Sequence, residues 1–350
     1  MRVLPPLVIT DALLTSSSVV ETAPAAYSAV VTYALGATAS NLAANTILVY
    51  RSLQAGNLNH TPASSPTWWV LIGTTYPVYS TGTTYALNEY ALDVVNHLEY
   101  KSLIAGNLNQ PLIDTTKWQL QGPTNRWRAF DLLRNTGSTA PSPQVYVITP
   151  GVRIDSIGLV GLVASQVTIS VVVGASEIYN EVIDLTSRTT VTASDYCFGM
   201  FTFKSGIARF NLPRNLNAVI TVTVTRSTGE VTVGGLLIGT SVYIGRTLHD
   251  AESDALNFST IARTFAGSSL LTQRRTIPKT NQTVRCKKAN INKVIAARTA
   301  LNAVPALWSG LDDTDSGYFE ALLILGIYKQ FKINMDQPDD ALVTIELEEV

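Results

Sequence analysis

A ten-residue stretch occurs twice in the chain, fifty positions apart. The first copy reads Tyr50-Arg51-Ser52-Leu53-Gln54-Ala55-Gly56-Asn57-Leu58-Asn59, and the second reads Tyr100-Lys101-Ser102-Leu103-Ile104-Ala105-Gly106-Asn107-Leu108-Asn109. Eight of the ten residues are identical. Two shorter blocks repeat in the same order, Tyr33-Ala34-Leu35 with Tyr85-Ala86-Leu87 upstream, and 69–73 with 118–122 downstream. Three ordered blocks indicate two tandem modules: module 1, residues 25–74, and module 2, residues 75–123.

Each module is predicted to form two or three short strands joined by an Ala-Gly-Asn turn. Gly56 and Gly106 supply the positive φ that such a turn requires. A module of only about fifty residues can form no more than a small core, so its aromatic residues must supply most of it. For Tyr50, Trp69, Tyr100 and Trp118, a core position is therefore favoured over a binding role.

The alternative role for these aromatic residues is contact with sugar rings. Tyr and Trp present apolar faces that stack on sugars, while neighbouring Asn and Thr satisfy hydroxyl groups. The candidates are Tyr50, Trp68, Trp69, Tyr79, Tyr85, Tyr100 and Trp118. Trp68 aligns with Lys117 of module 2, so it is an additional aromatic beside the repeated framework. It is the first candidate for an exposed contact.

Downstream of the modules, a β-rich region is predicted over residues 143–247. Strand-like segments are 145–148, 152–162, 167–173, 178–185, 199–203, 207–210, 218–225 and 236–244. Several alternate apolar and polar residues, and their spacing of about ten residues is typical of an antiparallel sandwich of jelly-roll type. The glycines Gly158 and Gly161 fall inside a strand-like segment, which favours close packing or a bulge over a nucleotide-binding loop.

The last region, residues 248–350, is predicted to be an α+β domain. Helical spacing of apolar residues favours a helix over 290–304, ended by Pro305, and 341–347 alternates like an antiparallel strand. The predicted fold class is thus mainly β. It comprises an N-terminal extension (1–24), two small modules, a linker (124–142), a β-sandwich and a C-terminal α+β domain.

Charge is sparse overall and uneven along the chain. Of 350 residues, 46% are hydrophobic and 15% charged, with a formal net charge of -1. This composition excludes wholesale disorder, and it argues against a protein that coats nucleic acid along its whole length. The first 98 residues hold only six charges. Pro5, Pro6 and Asp11 interrupt the apolar run that a secretory signal peptide needs, and no membrane span is expected.

The C-terminal region has two oppositely charged stretches. Residues 255–311 contain nine basic residues and no acid, whereas 312–350 contain ten acids and two lysines. Contact between the two stretches, within one chain or between neighbouring subunits, is favoured over nucleic-acid binding, because aromatics are not interleaved with the charges. The subunit-contact candidates are Arg274, Arg275, Lys287, Lys288, Asp312, Asp313 and Asp315.

Motifs for catalysis, metal or cofactor binding are weak, and we expect no cofactor and no metal. The histidines, His60, His97 and His249, lack paired ligand spacing, and Cys197 and Cys286 lack that of a disulfide framework or zinc site. The run 312–317 resembles the opening of a calcium loop but has no correctly placed Glu, so a turn is favoured.

A glycosidase using Asp250, Glu252 or Asp254 is a further alternative. It would require two carboxylates at a fixed separation across the scissile bond. An exposed acidic turn is favoured.

The repeated aromatic and turn residues resemble a known protein module. Tyr79 and Tyr85, then Tyr100-Lys101-Ser102-Leu103, Asn107, Pro111 and Trp118, look like the small carbohydrate-binding module of bacterial chitinases, which also occurs in bacteriophage tail proteins. Module 1 matches through Tyr33, Tyr50, Asn57, Pro62 and Trp69, and no hydrolase domain is recognisable. The tandem modules, the run 124–131 and the β-sandwich are also similar to tail proteins of tailed bacteriophages.

The resemblance implies a non-enzymatic structural protein of the virion, made in the host cytoplasm. Its place would be a tail tip, baseplate or fibre attachment, where it would form a homo-oligomer, assemble with other tail proteins and contact host-surface polysaccharide. The alternative is a stand-alone carbohydrate-binding protein or an accessory module of polysaccharide degradation.

Overall fold

The computed structural model describes residues 1–187, 190–335 and 338–350. The chain is mainly β, built from antiparallel sheets, as the sequence predicts. Helices are short in the described residues: Ala193–Phe198 and Ile291–Ala300, with 3-10 turns at Pro62–Ser64, Arg128–Phe130, Lys288–Asn290 and Glu320–Leu322. The helix expected over 290–304 is therefore present but ends earlier, at Ala300, where the chain turns before Pro305.

The two modules each contain a three-stranded meander. In module 1 the strands are Thr38–Ala43, Thr46–Ser52 and Trp69–Thr75. In module 2 they are Tyr90–Asp93, Leu98–Ser102 and Trp118–Pro123, with an added pair, Thr84–Tyr85 and Asn107–Leu108. Register shifts beside Gly73 and Gly122 mark a bulge at the same framework position in both modules.

The β-sandwich packs a five-stranded sheet against a three-stranded one. The larger sheet has the order Ser176–Asp184, Gln166–Val173, Ala218–Thr225, Gln144–Ile148 and Leu14–Ser17, and the smaller has Gly206–Arg209, Ser156–Val160 and Gly235–Gly239. Two short pairs flank them, Ser138–Pro141 with Glu230–Val233 and Thr186–Ser187 with Thr202–Phe203. Of the expected strand 199–203, only Thr202–Phe203 is a strand, because residues 199–201 leave the helix that ends at Phe198 without regular structure. The linker 124–142 contributes the strand Ser138–Pro141.

The C-terminal sheet is long and draws on both ends of the chain. Its order is Val242–Tyr243, Arg2–Leu4, Ala306–Ser309, Leu323–Asn334, Asp340–Glu349, Thr276–Lys287 and Arg246–Thr247, and Glu252–Asn257 also pairs with Thr276–Lys287. The predicted strand 341–347 is thus confirmed, within Asp340–Glu349. A hairpin of Thr260–Arg263 and Ser269–Thr272 forms a separate two-stranded sheet.

The predicted N-terminal extension, residues 1–24, contributes one strand to each of two sheets. Arg2–Leu4 lies between two strands of the C-terminal sheet, and Leu14–Ser17 is an edge strand of the sandwich. The predicted strand 236–244 is divided in a similar way, because Gly235–Gly239 belongs to the sandwich and Val242–Tyr243 to the C-terminal sheet. These shared strands tie the two units together.

The three-stranded sheet is the middle layer of the molecule. Every residue of Ser156–Val160 is buried; Ile157 and Leu159 pack in the sandwich core, while Val160 packs against residues of the C-terminal sheet. A Cβ on Gly158 would lie 2.0 Å from the Cδ2 atom of Leu307, so a larger residue here would displace that buried side chain. The predicted close-packing role of Gly158 is confirmed.

Candidate carbohydrate-contact surface

The repeated aromatic residues form matching ring clusters in the two modules. In module 1, Tyr33 meets Trp69 edge-on with ring centroids 4.9 Å apart and Tyr27 stacks on Tyr33 at 5.8 Å. In module 2, the corresponding distances are 5.0 Å, from Tyr85 to Trp118, and 6.0 Å, from Tyr79 to Tyr85. Edge-to-face contacts at these distances stabilise aromatic pairs, so one packing solution is used twice.

A buried asparagine fixes the turn of each module. Asn57 Nδ2 donates to Ser52 Oγ at 2.9 Å and to the carbonyl of Trp68 at 3.3 Å. Asn107 makes the same two bonds, to Ser102 Oγ at 3.0 Å and to the carbonyl of Lys117 at 3.2 Å. Each asparagine therefore links the turn to the strand that carries the core tryptophan.

Burial decides the role of most carbohydrate candidates. Trp69, Trp118 and Tyr85 are at most 2% exposed and Tyr50 is 8% exposed. Tyr79 and Tyr100 are half-buried and pack against the core of module 2. The indole Nε1 of Trp118 also donates to a backbone carbonyl. The four buried rings therefore have no open face on which a sugar could stack, whereas Tyr79 and Tyr100 pack against the core and keep part of their surface exposed.

Trp68 also packs against the core of its module, but it lies outside the repeated framework. It is half-buried and stacks on His60, with centroids 3.9 Å apart and an interplanar angle of 12°. His60 Nδ1 lies 3.2 Å from Asn57 Oδ1, so the imidazole is held by the same asparagine that fixes the turn. The result is an oriented indole at the surface of module 1. Module 2 has Gln110 and Lys117 at the two matching positions.

Module 2 has an aromatic pair of its own, which the sequence comparison missed. Tyr76 and Tyr90 are half-buried and stacked, with centroids 4.5 Å apart, and Lys101 Nζ lies 6.0 Å from the Tyr90 ring. Burial, with additional contributions from Glu99 and Tyr90, raises the pKa of Tyr76. The positions that match Tyr76 and Tyr90 in the first repeat are Pro24, just before module 1, and Thr38. A tyrosine present in only one of the two repeats could therefore have pointed to this pair.

In module 1 those positions border an open cleft rather than an aromatic stack. The cleft has a volume of about 540 Å³ and lies between module 1 and the sandwich. Pro24, Thr38 and Arg51 line one side, and Ser142 and Val145 line the other. The two modules therefore present different surfaces from the same framework.

A buried carboxylate connects the modules to the sandwich. Glu21 is 7% exposed and accepts hydrogen bonds from Thr124 Oγ1 at 2.9 Å and Trp127 Nε1 at 3.3 Å. It also pairs with His97 Nδ1 at 2.8 Å, and His97 Nε2 lies 3.0 Å from Asp11. His97 stacks on Trp127, with centroids 4.2 Å apart. This network gives His97, which lacks the sequence spacing of a metal ligand, a structural role.

The opposite charges of the C-terminal region meet within one chain. Lys279 pairs with Glu346, and the neighbouring strands also carry Arg285 with Asp340 and Lys329 with Glu348. Among the subunit-contact candidates, Arg275 pairs with Glu349 and Asp312 with Arg2. Lys287 faces Asp340 in register, and the Lys288 backbone bonds to Asp339. Arg274, Asp313 and Asp315 remain exposed. Of the two pairings considered, the intramolecular one is therefore present.

The remaining chemical candidates are dispersed in the fold. Asp250, Glu252 and Asp254 are exposed, the last two on a strand paired on one side only. Asp313 Oδ1 accepts from the Asp315 backbone at 3.0 Å, which makes an ordinary turn of the run 312–317. Cys197 is exposed and Cys286 buried, and burial raises the pKa of the Cys286 thiol. The described residues contain no cluster of metal-ligating side chains.

No helix in the described ranges is long and apolar enough to cross a membrane. Comparison of the chain with models of known protein families, with characterised proteins and with solved structures finds no match.

Proposed function

We propose that the protein is a non-enzymatic structural component of a bacteriophage tail, located in a tail tip, baseplate or fibre attachment, that holds two aromatic modules toward host-surface glycan. The observation that carries the proposal is that one aromatic module occurs twice on a single scaffold, fixed to it by buried polar contacts. Two modules held rigidly side by side present their surfaces to a ligand in a constant orientation, as expected of a structural protein. The resemblance of the modules to a carbohydrate-binding module adds the expected ligand.

The attachment of the modules supports a rigid arrangement. Glu99 of module 2 is 5% exposed and pairs with Arg128 at 2.7 Å, and Glu21 contacts module 2 through His97. Thr75, which ends the last strand of the module 1 meander, donates its hydroxyl to the carbonyl of Glu21. Breaking a buried charged contact is costly, so the contacts of Glu99 and His97 hold module 2 in a fixed orientation.

The location in a virion is tested on purified particles. Antibodies raised against residues 25–123 are applied to gradient-purified tailed particles, and gold labels are located by electron microscopy. Labels concentrated at one end of the tail are expected, together with peptides of this chain in the mass spectrum of the particles. A chain found only in the unassembled fraction would contradict the virion role.

Glycan contact is tested separately, on the purified full-length protein. We expect it to bind surface polysaccharides or chitin oligosaccharides on an array, and Trp68→Ala to lose most of the signal because the half-buried indole that His60 orients is removed. Lys117→Ala, at the matching position of module 2, is the control and should bind normally. Equal binding by Trp68→Ala and the unmodified protein would exclude Trp68 as the contact.

A stand-alone carbohydrate-binding protein is the second candidate, favoured by the oriented Trp68 and the Tyr76–Tyr90 stack. The two experiments distinguish the candidates. Glycan binding that is lost in Trp68→Ala, combined with absence of the chain from particles, would favour the stand-alone protein. Presence at the tail without glycan binding would leave a purely structural role.

A further inference from the structure

A β-hairpin of the C-terminal region extends away from the rest of the molecule. The arm, defined here as residues 258–275, contains the strands Thr260–Arg263 and Ser269–Thr272. Every residue from Thr260 to Thr276, seventeen in succession, is exposed. At about 3.3 Å per residue, the eight residues from Phe258 to Phe265 reach about 25 Å. An isolated two-stranded ribbon is marginally stable in water, so this one needs a surface to pack against.

The arm carries large apolar side chains on both faces and at its tip. Ile261 lies opposite Leu271, and these residues are 68% and 70% exposed. Leu270, 64% exposed, lies opposite Ala262 on the other face, and Phe265 at the tip is fully exposed. A ribbon that is apolar on one face would lie on a flat surface. Apolar residues on both faces favour insertion into a cleft, where both become buried.

The charge of the arm restricts its partner. It contains no acid, and its cations are Arg263, Arg274 and Arg275. Arg275, at the base, pairs with Glu349, whereas no ion pair of Arg263 or Arg274 is present among the described residues. Bringing two unpaired cations against a partner favours an acidic surface. Because the arm is exposed along its whole length, it does not occupy a surface of its own chain.

One cleft of this chain has the complementary properties. It has a volume of about 450 Å³ and lies between the sandwich edge and residues 314–320. Its charged lining residues are Glu181, Asp184, Asp315, Glu320, Lys204 and Arg209. Arg209 pairs with Glu181. The described part of the chain provides no ion pair for Asp184 or Asp315, so the cleft retains excess negative charge.

Apolar side chains also line part of the cleft. Val182 is 58% exposed, and Ile183, Ile207 and Phe319 are each at most 7% exposed. An exposed apolar residue beside acids suits a partner that is both apolar and basic. The cleft thus offers acids for the arginines of the arm and an apolar contact at Val182 for the side chains of the arm.

We propose that the arm of one copy inserts into this cleft of a second copy, so that identical chains associate head to tail. Arm and cleft are different surfaces, which makes the interface heterologous; such an interface closes into a ring or extends as a filament, depending on the rotation between copies. A cleft of about 450 Å³ holds the side chains at the tip of the arm, and the rest of the arm lies along the surface of the second copy. The proposal rests on the assembly role proposed above and identifies its surfaces.

The test measures the mass of the full-length protein in solution at increasing concentration. We expect the unmodified protein to form oligomers. Phe265→Asp, which places a carboxylate at the arm tip, and Asp184→Lys with Asp315→Lys, which reverses the cleft charge, should each weaken association at least about tenfold. The controls are Val95→Asp, an exposed apolar residue of module 2, and Asp250→Lys, an exposed acid outside the cleft; both should associate like the unmodified protein.

Mixing the two disabled variants gives the sharper result. The Phe265→Asp chain keeps an intact cleft, and the Asp184→Lys, Asp315→Lys chain keeps an intact arm. A mixture therefore forms one productive contact per pair, and we expect heterodimers and nothing larger.

Three outcomes would overturn the proposal: an unmodified protein that stays monomeric, disabled variants that associate normally, or a mixture that forms no heterodimer. Binding of the arm to anionic phospholipid vesicles, with no change in protein mass, would identify a membrane contact instead. Particle labelling does not depend on these variants. Failure of the arm contact is therefore distinguishable from failure of the tail assignment.

Discussion

Val49 of module 1 and Glu99 of module 2 occupy the same framework position, each paired in register with a bulge glycine. Both side chains are buried, at 1% and 5% exposure. Val49 borders the cleft between module 1 and the sandwich, while Glu99 pairs with Arg128. The buried ion pair that attaches module 2 to the scaffold thus has no counterpart at the same position of module 1. The two modules thus share the same core, whereas their contacts with the rest of the chain differ.

The shared core can be tested by removing its largest side chain. Trp69→Ala and Trp118→Ala should each destabilise their own module by about 3–5 kcal/mol, because a buried indole is lost from a cluster of few residues. Native-state hydrogen exchange, read separately for residues 25–74 and 75–123, is the measurement. Loss of protection confined to the mutated module would establish two independent cores; loss in both would show that they unfold together.

The difference in attachment predicts the next largest effect. Arg128→Ala leaves the Glu99 carboxylate buried without its cation, and we expect a loss of about 2 kcal/mol in the stability of module 2. The matched control is Arg51→Ala in module 1, whose side chain is exposed and should change stability by less than about 0.5 kcal/mol. Equal effects in denaturant titrations of both variants would mean that the ion pair does not stabilise the attachment.

The repeated turn predicts a smaller effect that is the same in both modules. Gly56 has φ 70° and Gly106 has φ 66°, and an added Cβ would meet nothing within 4 Å at either position. The only expected cost of alanine there is the strain of a left-handed backbone conformation, so Gly56→Ala and Gly106→Ala should each lower the free energy of unfolding by about 1 kcal/mol. The free energy of unfolding of each module provides the comparison. Unequal costs would show that the two turns are not equivalent.

The smallest expected effect is in the dependence of stability on pH. Burial raises the pKa of Glu99 more than Arg128 lowers it. As pH rises from about 4, the unfolded chain ionises this carboxyl first, so its contribution to stability falls until the pH passes the folded-state pKa. Glu99→Gln should remove that decline, whereas Glu89→Gln in the same module serves as the control. Identical pH profiles for Glu99→Gln and the unmodified protein would refute the raised pKa.

Several features of the protein were readable from the sequence because they depend on local order along the chain. The repeat, the turn glycines, the aromatic composition of the module cores and the alternation of 218–225 and 341–347 each reflect a backbone requirement or a two-residue period. Gly158 also belongs here, since a glycine inside a strand indicates a close approach, although its partner, Leu307, could not be named. The glycan-contact candidates could be identified by residue type, but the sequence could not separate the buried aromatic residues from the exposed ones.

Other features were decided only by tertiary structure, since they depend on which segments distant in the chain become neighbours. Arg2–Leu4 and Leu14–Ser17 are too short to have a recognisable period, and they enter different sheets by completing edges supplied by later residues. Burial separated Trp68 from Trp69, which are adjacent in sequence but differently enclosed. The stacking of Tyr76 on Tyr90, the contacts of Glu21 and the internal pairing of the opposite charges likewise arise from contacts across the chain. Composition and spacing fix the kinds of surface this protein can make, and the packing of its sheets fixes where each surface lies.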